Sequence, residues 1–277
     1  MCALISMAVY STEENKKDEC LAKTLKSLDE TVNFKRHRLM LSVNGATEVT
    51  KRIIHNNRDI IEKVFWNETN LGTAEAINLC IKERKQGEHI VKEDDDIVIH
   101  QAGWLDILED IVNNDPSIGQ AGLKRKDCIE NPSHPDPYYR SELKMLNHIP
   151  GHKWLIVEQC SHVMGSCVLH SSALLDKVGY LYQPKKYGWD DVLMSARSIG
   201  SGFKNVFYPH IEIDHIDDGS TPYQGWKEKV AMEDLNLISG LINDYKSGAK
   251  SCYYNPFEAK ESLSPFTNAL NEYANKK

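Results

Sequence analysis

No stretch of the chain approaches the ~18 consecutive apolar residues that a membrane span needs, and the opening Met1-Cys2-Ala3-Leu4 lacks the cationic start of a secretory signal. Cysteine is sparse: seven in 277 residues, an odd number without framework spacing, which speaks for reduced thiols rather than a disulfide scaffold. The expectation is a soluble, cytoplasmic protein. Positive charge is also short. With 33 Lys and Arg against 40 Asp and Glu the net charge is -7, which argues against a general nucleic-acid coat because counterion release needs clustered cations. A local basic groove stays compatible with that balance. No G-x-G-x-x-G turn follows the first strand and no G-x-S-x-G elbow occurs, which removes the usual dinucleotide dehydrogenase and serine hydrolase readings. Cys160, His162, Cys167 and His170 fit no common zinc spacing. The chain has neither an internal repeat nor a low-complexity tract. What it does have is 41% hydrophobic residues, ample for a buried core.

The hydrophobic pattern alternates between two periods. Residues 3 to 9 form an apolar run, after which Leu21, Leu25, Leu28 and Val32 recur at helical spacing. A short strand from Arg38 to Val43 ends at Asn44-Gly45, a segment with Val49, Ile53 and Ile60 leads to a third strand at Val64 to Trp66, and a helix carries Ala74, Ile77 and Ile81. The strand His89 to Lys92 then runs into Glu93-Asp94-Asp95-Asp96. Strands separated by helices imply crossovers and a mostly parallel sheet, with ligands at the carboxyl ends of the strands. Beyond a helix from Trp104 to Val112, stopped by Asp115-Pro116, the stretch from Leu123 to Lys153 reads as a long irregular loop. Strands are expected at 155 to 157, 163 to 170 and 205 to 208, with helices up to Val178 and from Asp190 to Gly200. A helical tail is expected to bury Trp226, Val230, Leu237, Leu241 and Tyr245.

Four acids after a strand make, taken alone, a solvated turn or a helix cap. Asp94 and Asp96, one residue apart, can also aim two carboxylates at one divalent cation, and hard oxygen ligands suit Mg²⁺ or Mn²⁺ on a diphosphate. Four fragments give this cluster a context. They are Ile5 to Ser11; Asn70-Leu71-Gly72-Thr73-Ala74-Glu75-Ala76-Ile77-Asn78; Val91 to Asp96 with Gly103-Trp104-Leu105; and Gly165-Ser166-Cys167 with Gly188-Trp189-Asp190-Asp191 and His215.

In that order, over residues 3 to 215, the fragments resemble the GT-A-fold glycosyltransferases of the large family-2 type. The resemblance implies an α/β GT-A fold: a Rossmann-like, mostly parallel central sheet flanked by helices. One domain over 1-219 is implied, its donor half reaching about residue 96 and its acceptor half filling 97-219, followed by a helical C-terminal extension over 220-277. The implied activity is an inverting, metal-dependent transfer from a nucleotide-sugar donor, UDP-linked, to a hydroxyl acceptor, with Mn²⁺ or Mg²⁺ as cofactor. Donor contacts are implied for Ala8, Tyr10, Asn44, Asn70, Gly72, Asn78, Asp94 and Asp95. Metal contacts are implied for Asp94, Asp96 and His215. The general base falls on Asp191, with Asp190 as the alternative.

This chain departs from the pattern twice. Ala8 stands where the family has proline, and Val43 stands where it has an acid that reads the nucleobase. Asn44 can hydrogen-bond a base edge, and Asn44-Gly45 is equally a turn signal. Two acceptor classes remain open, a saccharide and a hydroxylated base in DNA, the latter drawing on the basic run Lys124-Arg125-Lys126. A non-catalytic nucleotide-sugar or carbohydrate-binding module on the same fold is the reading of another class.

Overall fold

The structure is a computed structural model and describes residues 2–130, 142–146, 155–185, 187–217, 225, 229 and 235–258. Its first half alternates β1 (Ala3–Tyr10), α1 (Asp18–Thr31), β2 (Arg38–Gly45), α2 (Glu48–Asn56), β3 (Lys63–Trp66), α3 (Thr73–Lys82) and β4 (His89–Asp94). Then come β5 (Ile97–Val98), α4 (Trp104–Asn114), β6 (Ile118–Arg125), α5 (Lys126–Glu130), β7 (Glu142–Leu146) and β8 (Leu155–Cys160). The chain continues through β9 (Cys167–His170), α6 (Ser172–Val178), α7 (Asp190–Gly200), β10 (Lys204–His215) and α8 (Leu235–Ser247).

One sheet runs β3-β2-β1-β4-β9-β6-β10-β8-β7, and β5 pairs with the far end of β10. β3, β2, β1 and β4 are parallel neighbours, β10 is parallel to β6, and β9 runs against both β4 and β6. The first half is thus Rossmann-like, and strand order reverses between β1 and β4, the place where such sheets bind ligands. β1 is buried along most of its length because helices cover both of its faces. Ile5, Met7 and Val9 pack with Leu21, Leu25 and Leu28 of α1 and Trp104 and Leu108 of α4. Leu4 faces the opposite layer, where Ala74 and Ile77 of α3 meet Leu174 and Val178 of α6.

Several elements differ from the sequence reading. The loop expected from Leu123 to Lys153 contains the end of β6, then α5 and β7. β6 is hidden in the sequence because Ile118-Gly119-Gln120-Ala121-Gly122 has little strand propensity. Packing explains its glycines: a Cβ at Gly119 would lie 2.8 Å from Phe203 Cβ, and one at Gly122 would lie 2.4 Å from Val163 Cγ1. The strand expected from 163 begins only at Cys167, after a turn at Gly165-Ser166. β10 runs on to His215, with an irregularity between Tyr208 and Glu212 where Pro209 has no N–H to offer. In α8 it is Ile238, Leu241 and Tyr245 that are buried, against Leu193 and Ala196 of α7, whereas Leu237 is exposed. The expected face holds at Leu241 and Tyr245, with Ile238 buried in place of Leu237. Trp226 and Val230 of that face lie outside the described residues.

After α8 the chain returns to the sheet's helical layer. Tyr254 N–H donates to Val178 O at 2.9 Å, and Tyr180 N–H donates to Tyr254 O at 2.9 Å. Arg197, fully buried in α7, fastens this return by donating to the carbonyls of Cys252 and Tyr180, each at 2.7 Å, and of Val178.

Candidate active site

The carboxyl ends of β1, β2 and β4, the start of α3 and the end of β10 enclose a cleft. Ala8, Tyr10, Asn44, Asn70, Gly72, Asp94, Asp95, Asp96 and His215 all line it. The register explains the convergence. Ala8 stands opposite Asp94 on neighbouring strands, and the short β5 sets His215 opposite Ile97, one residue past the acids. Ile216 N–H closes the arrangement by donating to Asp96 O at 2.9 Å.

Of the residues for which the resemblance implies donor contact, Asn78 is the one outside the cleft lining. Its amide donates to Leu181 O at 2.9 Å and accepts from Leu181 N–H at 2.9 Å, so it clasps α3 to the loop after α6. Asn44 reaches the cleft edge as a turn clasp: Nδ2 donates to Gly72 O at 3.0 Å, while Oδ1 accepts from Leu71 N–H at 3.2 Å and from Asn67 at 3.1 Å. Asn70 Oδ1 accepts from Gly72 N–H at 2.8 Å, and Gly72 adopts φ 86°, a left-handed conformation that favours glycine. The turn before α3 is therefore fixed from two sides.

The three acids differ in environment. Asp95 Oδ2 accepts from Tyr10 N–H at 3.2 Å, and burial, reinforced by the Asp96 charge and opposed by Lys17, pushes its carboxyl up to about 7. Burial would also raise Asp96, but hydrogen bonding from His215 and the Lys17 ammonium outweigh it and hold this carboxyl well below the usual range. Lys17 Nζ lies 2.5 Å and His215 Nε2 lies 3.5 Å from the same oxygen, Asp96 Oδ2, whereas Asp96 Oδ1 is buried without a hydrogen-bond partner among the described residues. Asp94 sits at the mouth with Lys92 Nζ 3.0 Å from its Oδ1.

A second depression adjoins the first and contains Asp190, Asp191, Lys92 and Gly165. Thr73, Asp94, Arg125 and Tyr187 line both. α7 is aimed at this point by two successive left-handed residues, Gly188 at φ 81° and Trp189 at φ 69°, the latter a conformation that costs a non-glycine residue about 1 kcal/mol or more. Such strain clusters at functional sites. The first two residues of the helix are then Asp190 and Asp191, where the helix dipole favours carboxylates.

Asp191 is partly exposed; its Oδ2 accepts from Gly165 N–H at 3.0 Å and its Oδ1 from Val192 N–H at 2.7 Å, with His162 Nε2 3.7 Å away. A Cβ at Gly165 would lie 2.7 Å from Lys92 Nζ and 3.0 Å from Asp191 Cβ, so this glycine permits the close approach. Asp190 is buried and faces Lys92 at 3.7 Å; burial pushes its carboxyl up to about 6 despite that ammonium.

Lining residues that escaped the sequence reading as site residues include Lys17, Thr73, Lys92, Arg125 and Tyr187. Lys92 had a local signal, a cation placed between the apolar pair Ile90-Val91 and the acids. The basic run of the sequence does not form one cationic face. Lys124 is paired with Glu158 and Arg125 with Asp127 at 2.5 Å.

A second acidic cluster lies at the amino ends of the strands, where ligand-type atoms of His37, Asp106 and Glu109 come within 4.8 Å of one another. His37 Nδ1 accepts from Ala3 N–H at 3.3 Å, which puts the ring proton on the nitrogen facing Asp106, and Arg36 bridges Asp106 and Glu109. Its charges are already compensated by an internal cation, so it is an ion-pair network. Among the described residues no helix is long and apolar enough to cross a membrane.

No family model and no curated protein matches the sequence. Solved structures match by shape. The crystal structure of TarS from S. aureus superposes with a TM-score of 0.59 at 16% identity, covering 87% of this chain and 39% of that one. GalNAc-T7, solved with UDP, GalNAc and Mn²⁺, gives 0.59 at 13% identity, covering 96% of this chain and 54% of that one. The mannosyltransferase PcManGT from Pyrobaculum calidifontis, solved with GDP-Man and Mn²⁺, gives 0.55 at 14% identity, covering 98% and 82%. This chain thus spans well under half of the S. aureus protein. At these identities the likeness is one of architecture, and the chain has the GT-A glycosyltransferase fold.

Proposed function

We propose that the protein is an inverting glycosyltransferase that takes a nucleotide-sugar donor in the cleft at β1, β4 and β10 and transfers the sugar to a hydroxyl acceptor presented near Asp191. The observation that carries this reading is the shared wall. Asp94 and Arg125 line both the depression holding Asp95, Asp96 and His215 and the one holding Asp190 and Asp191. A donor seated in the first would present its anomeric carbon toward the second. The fold supports the reading, and so do the UDP-GlcNAc and GDP-Man found with similarly folded proteins.

The residues present fit a divalent cation. Carboxylate oxygens and one imidazole nitrogen are the donor set that Mn²⁺ or Mg²⁺ accepts, and the buried oxygen of Asp96 that lacks a partner among the described residues fits a ligand atom. Asp96 and His215, with Asp94, would hold the ion, which when bound supplies positive charge to the leaving diphosphate. The chain's own residues do the rest. The turn at Asn70-Gly72, locked by Asn44, shapes the donor side, and Arg125 adds a fixed cation between the two depressions.

In the transfer, the acceptor oxygen forms a bond to the anomeric carbon as the bond from that carbon to the diphosphate breaks, and Asp191 takes the hydroxyl proton. A single displacement inverts the anomeric centre. Asp191 is the better base because it is open to the second depression, whereas Asp190 is turned to Lys92. A saccharide acceptor is favoured over DNA because Lys124 and Arg125 are held in ion pairs rather than presented to phosphates.

Release of UDP or GDP from a panel of nucleotide sugars, with and without Mn²⁺ and simple sugars, tests the reading. Turnover of one donor supports it, and binding without any turnover would favour the non-catalytic module.

A further inference from the structure

Lys17 occupies an improbable place. It is the residue that caps α1, where the helix dipole disfavours a cation, and its side chain is nevertheless turned inward and only 8% exposed. The loop before it is built to do this. Asn15 Nδ2 donates to Tyr10 O at 2.9 Å, Asn15 Oδ1 accepts from Thr12 N–H at 2.8 Å, and Lys16 takes a left-handed φ of 51° just ahead of the turn inward. The ammonium ends 2.5 Å from Asp96 Oδ2 and 2.6 Å from Asp217 Oδ2, two residues beyond His215. It therefore sits on the carboxylate to which the proposed function gives a divalent cation, while the other oxygen of that carboxylate has no partner among the described residues.

We infer that Lys17 is a tethered counter-cation of the Asp96 carboxylate, which a divalent metal must displace or share, so that the metal binds weakly by itself and well only together with a nucleoside diphosphate. Two positive centres within a few ångströms of one buried carboxylate repel each other strongly, since unit charges about 4 Å apart interact by several times thermal energy at the effective dielectric of a protein. The diphosphate of an incoming donor relieves that repulsion, because it brings negative charge for both cations. Coupling of this kind makes metal and donor arrive as a pair. The inference rests on the metal assignment of the proposed function.

The test is Mn²⁺ binding without nucleotide, followed by the electron paramagnetic resonance of free Mn²⁺, in the parent protein, Lys17→Gln and Lys17→Arg. Lys17→Gln should bind Mn²⁺ alone at least about tenfold more tightly than the parent, because it removes the competing charge and leaves the carboxylates. Lys17→Arg keeps the charge and should match the parent. Equal or weaker Mn²⁺ binding by Lys17→Gln overturns the inference. If Lys17→Gln does not fold by itself, Mn²⁺ should restore a cooperative thermal transition, and failure to do so equally overturns it. Mn²⁺ uptake with UDP or GDP in both proteins but without the gain in Lys17→Gln sinks only the role of Lys17. Absence of Mn²⁺ uptake in either protein even with nucleotide sinks the metal assignment itself.

Discussion

Lys92 holds its ammonium 3.0 Å from the Asp94 carboxylate, from within a strand that is otherwise buried. The same ammonium donates to Gly165 O at 2.7 Å and faces Asp190 at 3.7 Å, so one side chain links the donor half of the cleft to the acid pair of α7. Burial would discharge it, but Asp94, Asp190 and Asp191 together keep it positive.

Removing Lys92 leaves the buried Asp190 carboxylate without compensation, which typically costs about 3–5 kcal/mol. Lys92→Met should lose stability of that order in urea unfolding, and adding Asp190→Asn should recover part of it. Strict additivity of the two substitutions would show that the residues do not act on each other.

Asp191→Asn should lower kcat by about 10²-fold or more while nucleotide affinity stays near the parental value, since general-base catalysis contributes about 10²–10⁴. Near-normal turnover in that variant, with loss in Asp190→Asn instead, would move the base to the buried neighbour.

His170 closes β9 fully buried, with Nδ1 accepting from the Gln120 amide at 3.2 Å. Burial, and then the charges of Lys92 and Arg197, push its imidazole down to about 3. Below about pH 6.5 the unfolded chain binds a proton on this ring and the folded protein does not. Its contribution is therefore complete above that pH and is lost as pH falls toward 3. His37 and His89, lowered chiefly by burial, act in the same direction. Urea unfolding at about pH 7.5 and about pH 5 should show that His170→Asn loses about 2 kcal/mol less than the parent between the two. Equal losses would contradict the assignment.

Arg197→Met should free the C-terminal return. Three carbonyls lose a charged donor, a loss of about 3 kcal/mol, and the amides of Tyr180 and Tyr254 should exchange hydrogen faster than those of β1. Unchanged exchange at both would mean that the return is held by packing alone.

The first, Rossmann-like half of the fold was legible because each of its signals is local. The apolar run of β1, the helical spacing of Leu21, Leu25 and Leu28, and the acids after β4 each occupy a few consecutive residues. What was hidden depends on distant neighbours. Gly119 and Gly122 look like loop residues until Phe203 and Val163 crowd them. Lys17 reads as a surface residue in a polar loop until that loop folds over Asp96, and Arg125 as part of a basic run until Asp127 takes it. Asn78 erred in the opposite sense. Its place in the Asn70 to Asn78 fragment suggested ligand contact, whereas one turn of helix beyond Ala74 it already faces the Leu181 loop.

Calorimetric titration of UDP and of GDP into the parent and Asp96→Asn, each with Mn²⁺ and with EDTA, tests the central claim most directly. One nucleotide should bind the parent at least about tenfold more tightly with Mn²⁺ than with EDTA, and Asp96→Asn should erase most of that difference, because it removes a formal charge from the ion's ligands. Affinity for neither nucleotide, or equal affinity in Mn²⁺ and EDTA, would contradict the account.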